Sequence, residues 1–309
     1  MSFDSQAFGV YTIAATPFHP DGRIDTASID RLTDFYLERG VSGITALGVM
    51  GEAPKLDGDE SVALVRQMVK RAGKVPVVVG VTSPGFAPMR ALARESMEVG
   101  AAGVMIAPPS TLRTDDQIVT YYLHAREAIG DDVPFVLQDY PLGFSVVMAP
   151  QVLRRIVSEN PSCVMLKIED WPSLEKIAAV RKLETDGEMR HVSILTGNGG
   201  VFVNYELERG SDGAMTGYAF PEMMVDLVKL SRSGKRDEAH DLFDAHLPLI
   251  RYEQQPGVGL AVRKYVLQKR GAIASDAQRK PAASLSSTAR AEVDYLLSRL
   301  ARFDRRAAL

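Results

Sequence analysis

The sequence places a lysine, Lys167, directly after a short apolar segment, and a glutamate, Glu169, follows two residues later. Residues 163–166 are apolar and follow an Asn-Pro-Ser turn, which predicts a strand that is buried on both faces. An ammonium group at the end of such a strand loses hydration unless it is paired or deprotonated. Lys167 is therefore a candidate amine nucleophile that forms a Schiff base with a carbonyl substrate. The alternative is an ordinary lysine that reaches solvent where the strand stops.

Two further side chains are candidates for proton transfer beside this lysine. Residues two apart in a strand point to the same side, so Glu169 is predicted to lie next to Lys167 if the strand continues. Tyr140 follows another predicted strand and carries a hydroxyl that can move a proton. A carboxylate stabilises a neighbouring ammonium, so we expect Glu169 to be neutral, turned away or compensated by other groups.

A repeated pattern indicates which elements position these residues. Segments 38–44, 98–104 and 208–214 each have a helix-ending glutamate, a glycine two residues later, a short turn and a second glycine that begins an apolar strand. The first glycines, Gly40, Gly100 and Gly210, are 60 and 110 residues apart. Two and four strand–helix units of about 30 residues fill these intervals, which fits strands two, four and eight of a regular series.

Eight strands alternating with helices predict a parallel sheet closed into a (β/α)8 TIM barrel. The predicted strands are residues 10–16, 43–47, 77–81, 104–107, 135–138, 164–167, 192–196 and 214–216. An open doubly wound sheet uses similar units, but no Gly-x-Gly-x-x-Gly follows the first strand, so nothing supports dinucleotide binding. After residue 220 the alternation stops and helical patterns continue. We therefore expect a barrel over residues 1–220 and a helical region over 221–309.

Reacting groups of such barrels lie at the C-terminal ends of the strands. Polar residues and glycines are concentrated at these ends, where a lysine amine would meet the carbonyl of a 2-oxo acid and backbone N–H groups its carboxylate. The predicted catalytic residues are Lys167, Tyr140 and Glu169. The predicted substrate-binding residues are Thr16, Gly48, Val49, Met50, Gln138, Asp139, Gly197, Asn198, Thr216 and Gly217.

Composition excludes several classes of function. The 309 residues carry a formal net charge of -3 and offer no basic field for nucleic acid or an anionic membrane. The one cysteine, Cys163, and five histidines without ligand spacing predict no metal site. Residues 1–5 lack the pattern of a secretory signal, and no apolar run approaches the roughly 18 residues of a membrane span. We expect a soluble, cytoplasmic protein.

Taken together, these residues resemble the lysine-dependent class I aldolases and lyases of the dihydrodipicolinate synthase and N-acetylneuraminate lyase type. The matching segments, which span nearly the whole chain, are Thr16-Pro17-Phe18, Gly48-x-x-Gly51-Glu52, Gly80-Val81, Gly100-Ala101-x-Gly103, Pro141, Lys167 and Gly213-Ala214-Met215-Thr216-Gly217. The resemblance implies a (β/α)8 barrel with C-terminal helices, usually tetrameric, with Lys167 as the Schiff-base lysine. It implies no metal and no organic cofactor.

Departures from the family pattern bear on the substrate. Val49 and Met50 stand where the family has paired hydroxyl residues that hold the oxo-acid carboxylate, which leaves that task to backbone amides or other groups. The family's strand-five tyrosine aligns with Gln138, so Tyr140 is displaced by two residues. The arginine that binds the aldehyde substrate in true dihydrodipicolinate synthases has Leu142, Gly143 and Phe144 in its place. Lysine biosynthesis is therefore disfavoured.

The Gln-Asp-x-Pro and Lys-Ile-Glu segments at positions 138–141 and 167–169 are similar to a branch of 2-keto-3-deoxy sugar-acid dehydratases. The leading hypothesis is a lyase acting on a 2-oxo acid through an imine, as dehydratase or aldolase. A pyruvate-condensing synthase of the dihydrodipicolinate type is the second hypothesis. The third is a barrel that binds an oxo acid without catalysis. We expect a small-molecule substrate and a homo-oligomer, a dimer or a tetramer.

Overall fold

Eight parallel strands form a closed barrel in which each strand pairs with the next along the chain and β8 pairs with β1. The computed structural model describes residues 3–171 and 173–309, so the first two of the five N-terminal residues considered for a secretory signal lie outside it. The strands are β1 (Gly9–Ile13), β2 (Gly43–Ala46), β3 (Val77–Gly80), β4 (Gly103–Ile106), β5 (Phe135–Asp139), β6 (Cys163–Ile168), β7 (Ser193–Thr196) and β8 (Gly213–Ala214). The predicted (β/α)8 barrel is confirmed.

Helices follow the strands and cover the outside of the barrel. They are α1 (Thr26–Glu38), α2 (Gly58–Ala72), α3 (Phe86–Glu98), α4 (Asp115–Ile129), α5 (Pro141–Phe144), α6 (Pro150–Glu159), α7 (Ser173–Thr185) and α8 (Val203–Glu208). Local sequence determines several of their ends. Asp57 and Glu60 form a reciprocal capping box that begins α2, and Thr114 and Gln117 form another that begins α4.

The three repeat glycines have the backbone conformation that the pattern predicts. Gly40, Gly100 and Gly210 have φ of 72°, 96° and 97°, a left-handed region that residues with a Cβ rarely adopt. Each ends a helix and turns the chain into β2, β4 or β8. Five of the predicted strands, the first, second, third, seventh and eighth, are shorter than expected. Since β1 ends at Ile13 and β8 at Ala214, Thr16 and Thr216 lie in the loops that follow.

Four further helices follow the barrel: α9 (Pro221–Arg232), α10 (Arg236–Glu253), α11 (Gly259–Lys269) and α12 (Ser287–Leu300). Helix α9 packs on β1, and α10 packs on α9, α11 and α12. The fully buried Lys264 of α11 pairs with Glu52 in the loop after β2, with 2.6 Å between Nζ and Oε1. This ion pair ties the C-terminal helices to the barrel rim, while a domain boundary at residue 220 remains a prediction. Within the described part of the chain, no helix has the length and apolar character needed to cross a membrane.

Candidate active site

A cavity at the C-terminal end of the barrel contains the lysine of β6. Lys167 is the register partner of Gln138 on β5, so the two side chains enter the barrel side by side. The residues that line the cavity are Ile13, Val49, Met50, Gln138, Tyr140, Lys167, Glu169, Asn198, Gly199, Met215, Thr216, Gly217, Gln254 and Arg263. All three predicted catalytic residues and six of the ten predicted substrate-binding residues are therefore in one place.

Lys167 and Glu169 form a buried ion pair in this cavity. Nζ of Lys167 lies 2.9 Å from Oε1 of Glu169, and the two residues are only 5% and 6% exposed. The parallel ladder continues one residue past β6, because the Glu169 N–H donates to the Asp139 carbonyl at 2.8 Å. This extension keeps Glu169 on the same side as Lys167, as alternation along a strand requires. Glu169 is thus not turned away from the lysine.

Two more donors fix the orientation of the Glu169 carboxylate. The Gln138 side-chain amide donates to Oε1 at 2.6 Å, and the backbone N–H of Asn198 donates to Oε2 at 2.9 Å. Gly197 leaves room for the Glu169 side chain, since a Cβ at position 197 would lie 2.4 Å from Cγ of Glu169. A carboxylate held between an amine and a substrate cavity can carry a proton between the two.

Tyr140 lies at the rim of the same cavity as the residue that precedes α5. Its ring packs over Gly143 and against Phe144, with 6.1 Å between the two ring centroids. Burial, together with the charge of Glu169, raises the pKa of the Tyr140 phenol, while Arg263 acts in the opposite direction. At neutral pH the phenol keeps its proton and can donate it to a leaving oxygen.

The loop after β2 forms another wall. Val49 is 59% exposed while Met50 is buried, with its sulfur against Gly217. Residues 49–51 form one 3₁₀ turn, and the backbone N–H groups of Val49 and Met50, at its start, have no acceptor in the described chain. The buried Thr216 hydroxyl likewise has no partner among the described residues. These donors are available to a carboxylate.

Two residues that line the cavity come from the C-terminal helical region. They do not follow a barrel strand, so the rule that site residues lie at strand ends does not predict them. Arg263 lies on α11 and Gln254 follows α10. Nε of Arg263 donates to Oε2 of the buried Glu253 at 3.0 Å. Burial raises the pKa of Glu253 to about 7, although the Arg263 charge opposes this. The available sequence signal was a pair of cations, Arg263 and Lys264, inside an otherwise apolar stretch at 258–262 and 265–267.

Four predicted substrate-binding residues do not line the cavity. Asp139 points to the opposite face of β5, because it follows the inward Gln138, and it is fully buried against Lys176 of α7 at 2.7 Å. Thr16 donates its hydroxyl to the Gly51 carbonyl at 2.6 Å and so holds the loop after β2. Gly48 and Gly197 lie behind the cavity wall, where each leaves room for a side chain that does line it. The structure separates these four residues from the other predicted site residues.

The side chains that line the cavity are of kinds that bind and transform an organic substrate. Over residues 3–171 and 173–309, no three His, Cys, Asp or Glu side chains converge as a metal ion would require. The cavity instead combines one amine, one carboxylate, one phenol, one guanidinium and several unpaired donors. These groups can form an imine, move a proton and hold an anion.

An eight-stranded parallel barrel with a buried lysine at the end of its sixth strand defines an α/β-barrel enzyme of the Schiff-base lyase class. The Dihydrodipicolinate synthetase family matches residues 6–300. The chain belongs to this family, as the sequence resemblance predicted.

Relatives of this chain include proteins named as dehydratases and proteins named as synthases. The chain is 30% identical over 297 residues, 94% of either protein, to the L-2-keto-3-deoxyarabonate dehydratase of Azospirillum brasilense. It is 28% identical over 255 residues to the 4-hydroxy-tetrahydrodipicolinate synthase of Methylococcus capsulatus, covering 78% of this chain and 85% of the relative. The crystal structure of dihydrodipicolinate synthase from Rhodopseudomonas palustris is 65% identical to this chain, with a TM-score of 0.95 over 97% of this chain and 99% of the other.

Proposed function

We propose that this lyase binds a 2-oxo acid as an imine on Lys167 and removes water from a 2-oxo-3-deoxy sugar acid. The observation that carries the proposal is the Glu169 carboxylate, 2.9 Å from the lysine Nζ and fixed by two further donors. The dehydratase from Azospirillum brasilense, which matches nearly the full length of the chain, supports the same reaction.

The reaction begins when the neutral amine of Lys167 attacks the C2 carbonyl and water leaves, which forms an iminium ion. Removal of a C3 proton gives an enamine, because the iminium nitrogen accepts the electron pair. The C4–O bond then breaks, and the hydroxide leaves with a proton as water. Hydrolysis of the remaining imine returns the amine and releases the dehydrated oxo acid. Imine formation releases one water and imine hydrolysis consumes one. The net change is therefore the loss of the water formed from the C4 hydroxyl group and a proton.

Glu169 and Tyr140 are the proposed proton carriers. Glu169 takes the proton from the Lys167 ammonium and returns it to the oxygen that leaves C2 as water. As a carboxylate again, it then takes the C3 proton, since it is held at the amine by Gln138 and Asn198. Tyr140 donates to the departing C4 oxygen, since its phenol is protonated at neutral pH and faces the same cavity.

The proposed site for the C1 carboxylate is the wall formed by the loops after β2 and β8. The N–H groups of Val49 and Met50 and the hydroxyl of Thr216 have no acceptor among the described residues. A carboxylate accepts several such bonds at once. Backbone donors would thus replace the hydroxyl side chains that the family resemblance leads one to expect at positions 49 and 50.

A pyruvate-condensing synthase is the second candidate. Arg263 favours it, because a guanidinium in the cavity would bind a carboxylate-bearing aldehyde, although residues 140–149 directly after β5 include no arginine. The synthase of Methylococcus capsulatus is consistent with this reaction. The third candidate, binding without catalysis, predicts that no product forms from either type of substrate.

Product analysis by NMR in D2O distinguishes these reactions. Dehydration of a 2-oxo-3-deoxy acid releases a single oxo acid of unchanged carbon number, aldol cleavage releases pyruvate, and the synthase consumes pyruvate only together with an aldehyde. We expect dehydration, and its loss in Lys167→Ala. The exposed Lys74 provides the matched control Lys74→Ala, which should keep full turnover. Turnover retained in Lys167→Ala would overturn the imine mechanism.

We also propose that the chain forms a homo-oligomer, a dimer or a tetramer, and acts in the cytoplasm. The family, whose relatives are named as dehydratases and synthases of small-molecule metabolism, supports both the assembly and the location. Light scattering of the purified protein tests the assembly, because a mass of 33.7 kDa would show a monomer.

A further inference from the structure

One wall of the cavity, built by the C-terminal helices, carries donors that the proposed reaction at C2, C3 and C4 does not use. Nε2 of Gln254 is buried and has no hydrogen-bond partner among the described residues. Arg263 uses only Nε, toward Glu253, and its two Nη groups make no hydrogen bond within the described chain. A buried polar group without a partner costs stability, so its retention in a cavity indicates a ligand that completes its bonding.

The surrounding residues leave room for both side chains and orient the guanidinium. Gly199, in the loop after β7, has φ of 65°, and a Cβ there would lie 1.1 Å from Nε2 of Gln254 and 2.9 Å from Nη2 of Arg263. A side chain at Gly199 would therefore occupy the space of these two donors. Glu253 orients the guanidinium by accepting the hydrogen bond from its Nε, and the neighbouring Lys264 fixes α11 to Glu52 of the barrel. The Arg263 guanidinium is consequently preorganised in the cavity wall, and the Gln254 amide lies next to it.

The chemistry of this wall favours an anion over a hydroxyl. A guanidinium only donates hydrogen bonds, and a carboxylate only accepts them, so the two match in both charge and geometry. The Lys167 charge is balanced by Glu169 at 2.9 Å. The Arg263 charge is incompletely balanced near neutral pH, because burial raises the pKa of Glu253 to about 7. An anionic group on the substrate supplies the missing charge.

We propose that Arg263 and Gln254 bind a second carboxylate at the far end of the substrate, and that the preferred substrate is therefore a dicarboxylic 2-oxo-3-deoxy acid. This inference rests on the proposed imine reaction at Lys167 and names the substrate class of the same site. The C1 carboxylate lies against the loops after β2 and β8, and the chain of carbons extends across the cavity to α11. Arg263 and Gln254 act as specificity-determining residues and take no part in bond breaking.

A comparison of two substrates tests this assignment. Both are six-carbon 2-oxo-3-deoxy acids, one with a carboxylate at C6 and one with a hydroxymethyl group there. The native chain should prefer the dicarboxylate in kcat/KM by about tenfold or more, the value of a charge-assisted hydrogen bond. Arg263→Gln and Gln254→Leu should each remove most of this preference through KM, with little change for the monocarboxylate. Arg263→Lys should restore part of it, since it keeps the charge but not the planar fork.

Controls separate this inference from the function on which it rests. The exposed Arg251 on α10 provides the matched variant Arg251→Gln, which should keep the preference. Borohydride trapping of pyruvate on Lys167 should persist in the Arg263 and Gln254 variants, because pyruvate has no far end, and this shows that they are folded. Trapping without any preference for the dicarboxylate, or equal losses on both substrates, would overturn the inference alone. No adduct in the native chain would overturn the proposed function and the inference together.

Discussion

Removal of the Lys264 ammonium should destabilise the protein by about 3 kcal/mol, near the lower end of the range for breaking a buried ion pair. Lys264 is 0% exposed, and its Nζ donates to Oε1 of Glu52 at 2.6 Å and to the Ala277 carbonyl at 2.8 Å. Lys264→Met nearly keeps the side-chain volume, while the hydrogen bonds to Glu52 and Ala277 are both lost. The lower end applies because Glu52 still accepts from Lys55 and from the Arg279 N–H, at 2.8 and 3.1 Å.

Urea unfolding followed by circular dichroism measures this loss, with Lys55→Met as the matched control. Lys55 bonds to the same carboxylate, but its side chain is 21% exposed, so its removal should cost only about 1 kcal/mol. A double-mutant cycle of Lys264→Met with Glu52→Gln should show a coupling energy of about 2 kcal/mol. Equal losses for the two lysine variants, or a coupling below about 0.5 kcal/mol, would refute the argument that this buried pair fixes α11 to the barrel.

Three further predictions concern the site and its surroundings. Glu169→Gln should lower kcat by about 100- to 10,000-fold, the range for general acid–base groups, in steady-state assays. Gly197→Ala should lower kcat as well, because its Cβ would lie 2.4 Å from Cγ of Glu169 and displace the carboxylate. Burial raises the pKa of Glu206 to about 7, so its ionisation costs stability as the pH rises from about 4.5 to about 7. Glu206→Gln lacks this ionisation. The unfolding free energy of the variant minus that of the native chain should therefore be about 3 kcal/mol larger at pH 8 than at pH 4.5.

Matched variants control for these three predictions. An unchanged kcat in Glu169→Gln would exclude the carboxylate from proton transfer. Gly58, where a Cβ meets nothing within 4 Å, provides Gly58→Ala, and equal activity of the two alanine variants would contradict the steric argument. Glu127 is exposed, and a pH dependence shared by Glu127→Gln and Glu206→Gln would show that burial at Glu206 is not its cause.

The barrel was predictable because its signals are local and repeat. A glycine that ends a helix and an apolar run that follows it recur at Gly40, Gly100 and Gly210, and their backbone angles are those that the pattern requires. The position of Glu169 beside Lys167 was predictable for the same reason, since alternation along one strand fixes which residues share a face. Applied to β5, the same rule places Asp139 on the face opposite Gln138, which is where the structure has it.

The C-terminal side of the site was not predictable from such rules. Arg263 lies 96 positions after Lys167, and it reaches the cavity only because α11 packs over the barrel rim. That packing depends on the pair between Lys264 and Glu52, whose partners are 212 residues apart. Side-chain periodicity carries no information about contacts at that separation. The arginine of the cavity is therefore supplied by α11 and not by the residues near β5.

Borohydride trapping tests the central claim, the imine on Lys167, most directly. The protein is incubated with pyruvate or with 2-oxo-3-deoxy acids, reduced with borohydride and digested, and its peptides are read by mass spectrometry. We predict one adduct, on the peptide that contains Lys167, with no adduct on the exposed Lys74 and none in Lys167→Ala. Absence of an adduct at Lys167 with every acid tested, or an equal yield at Lys74, would contradict the account.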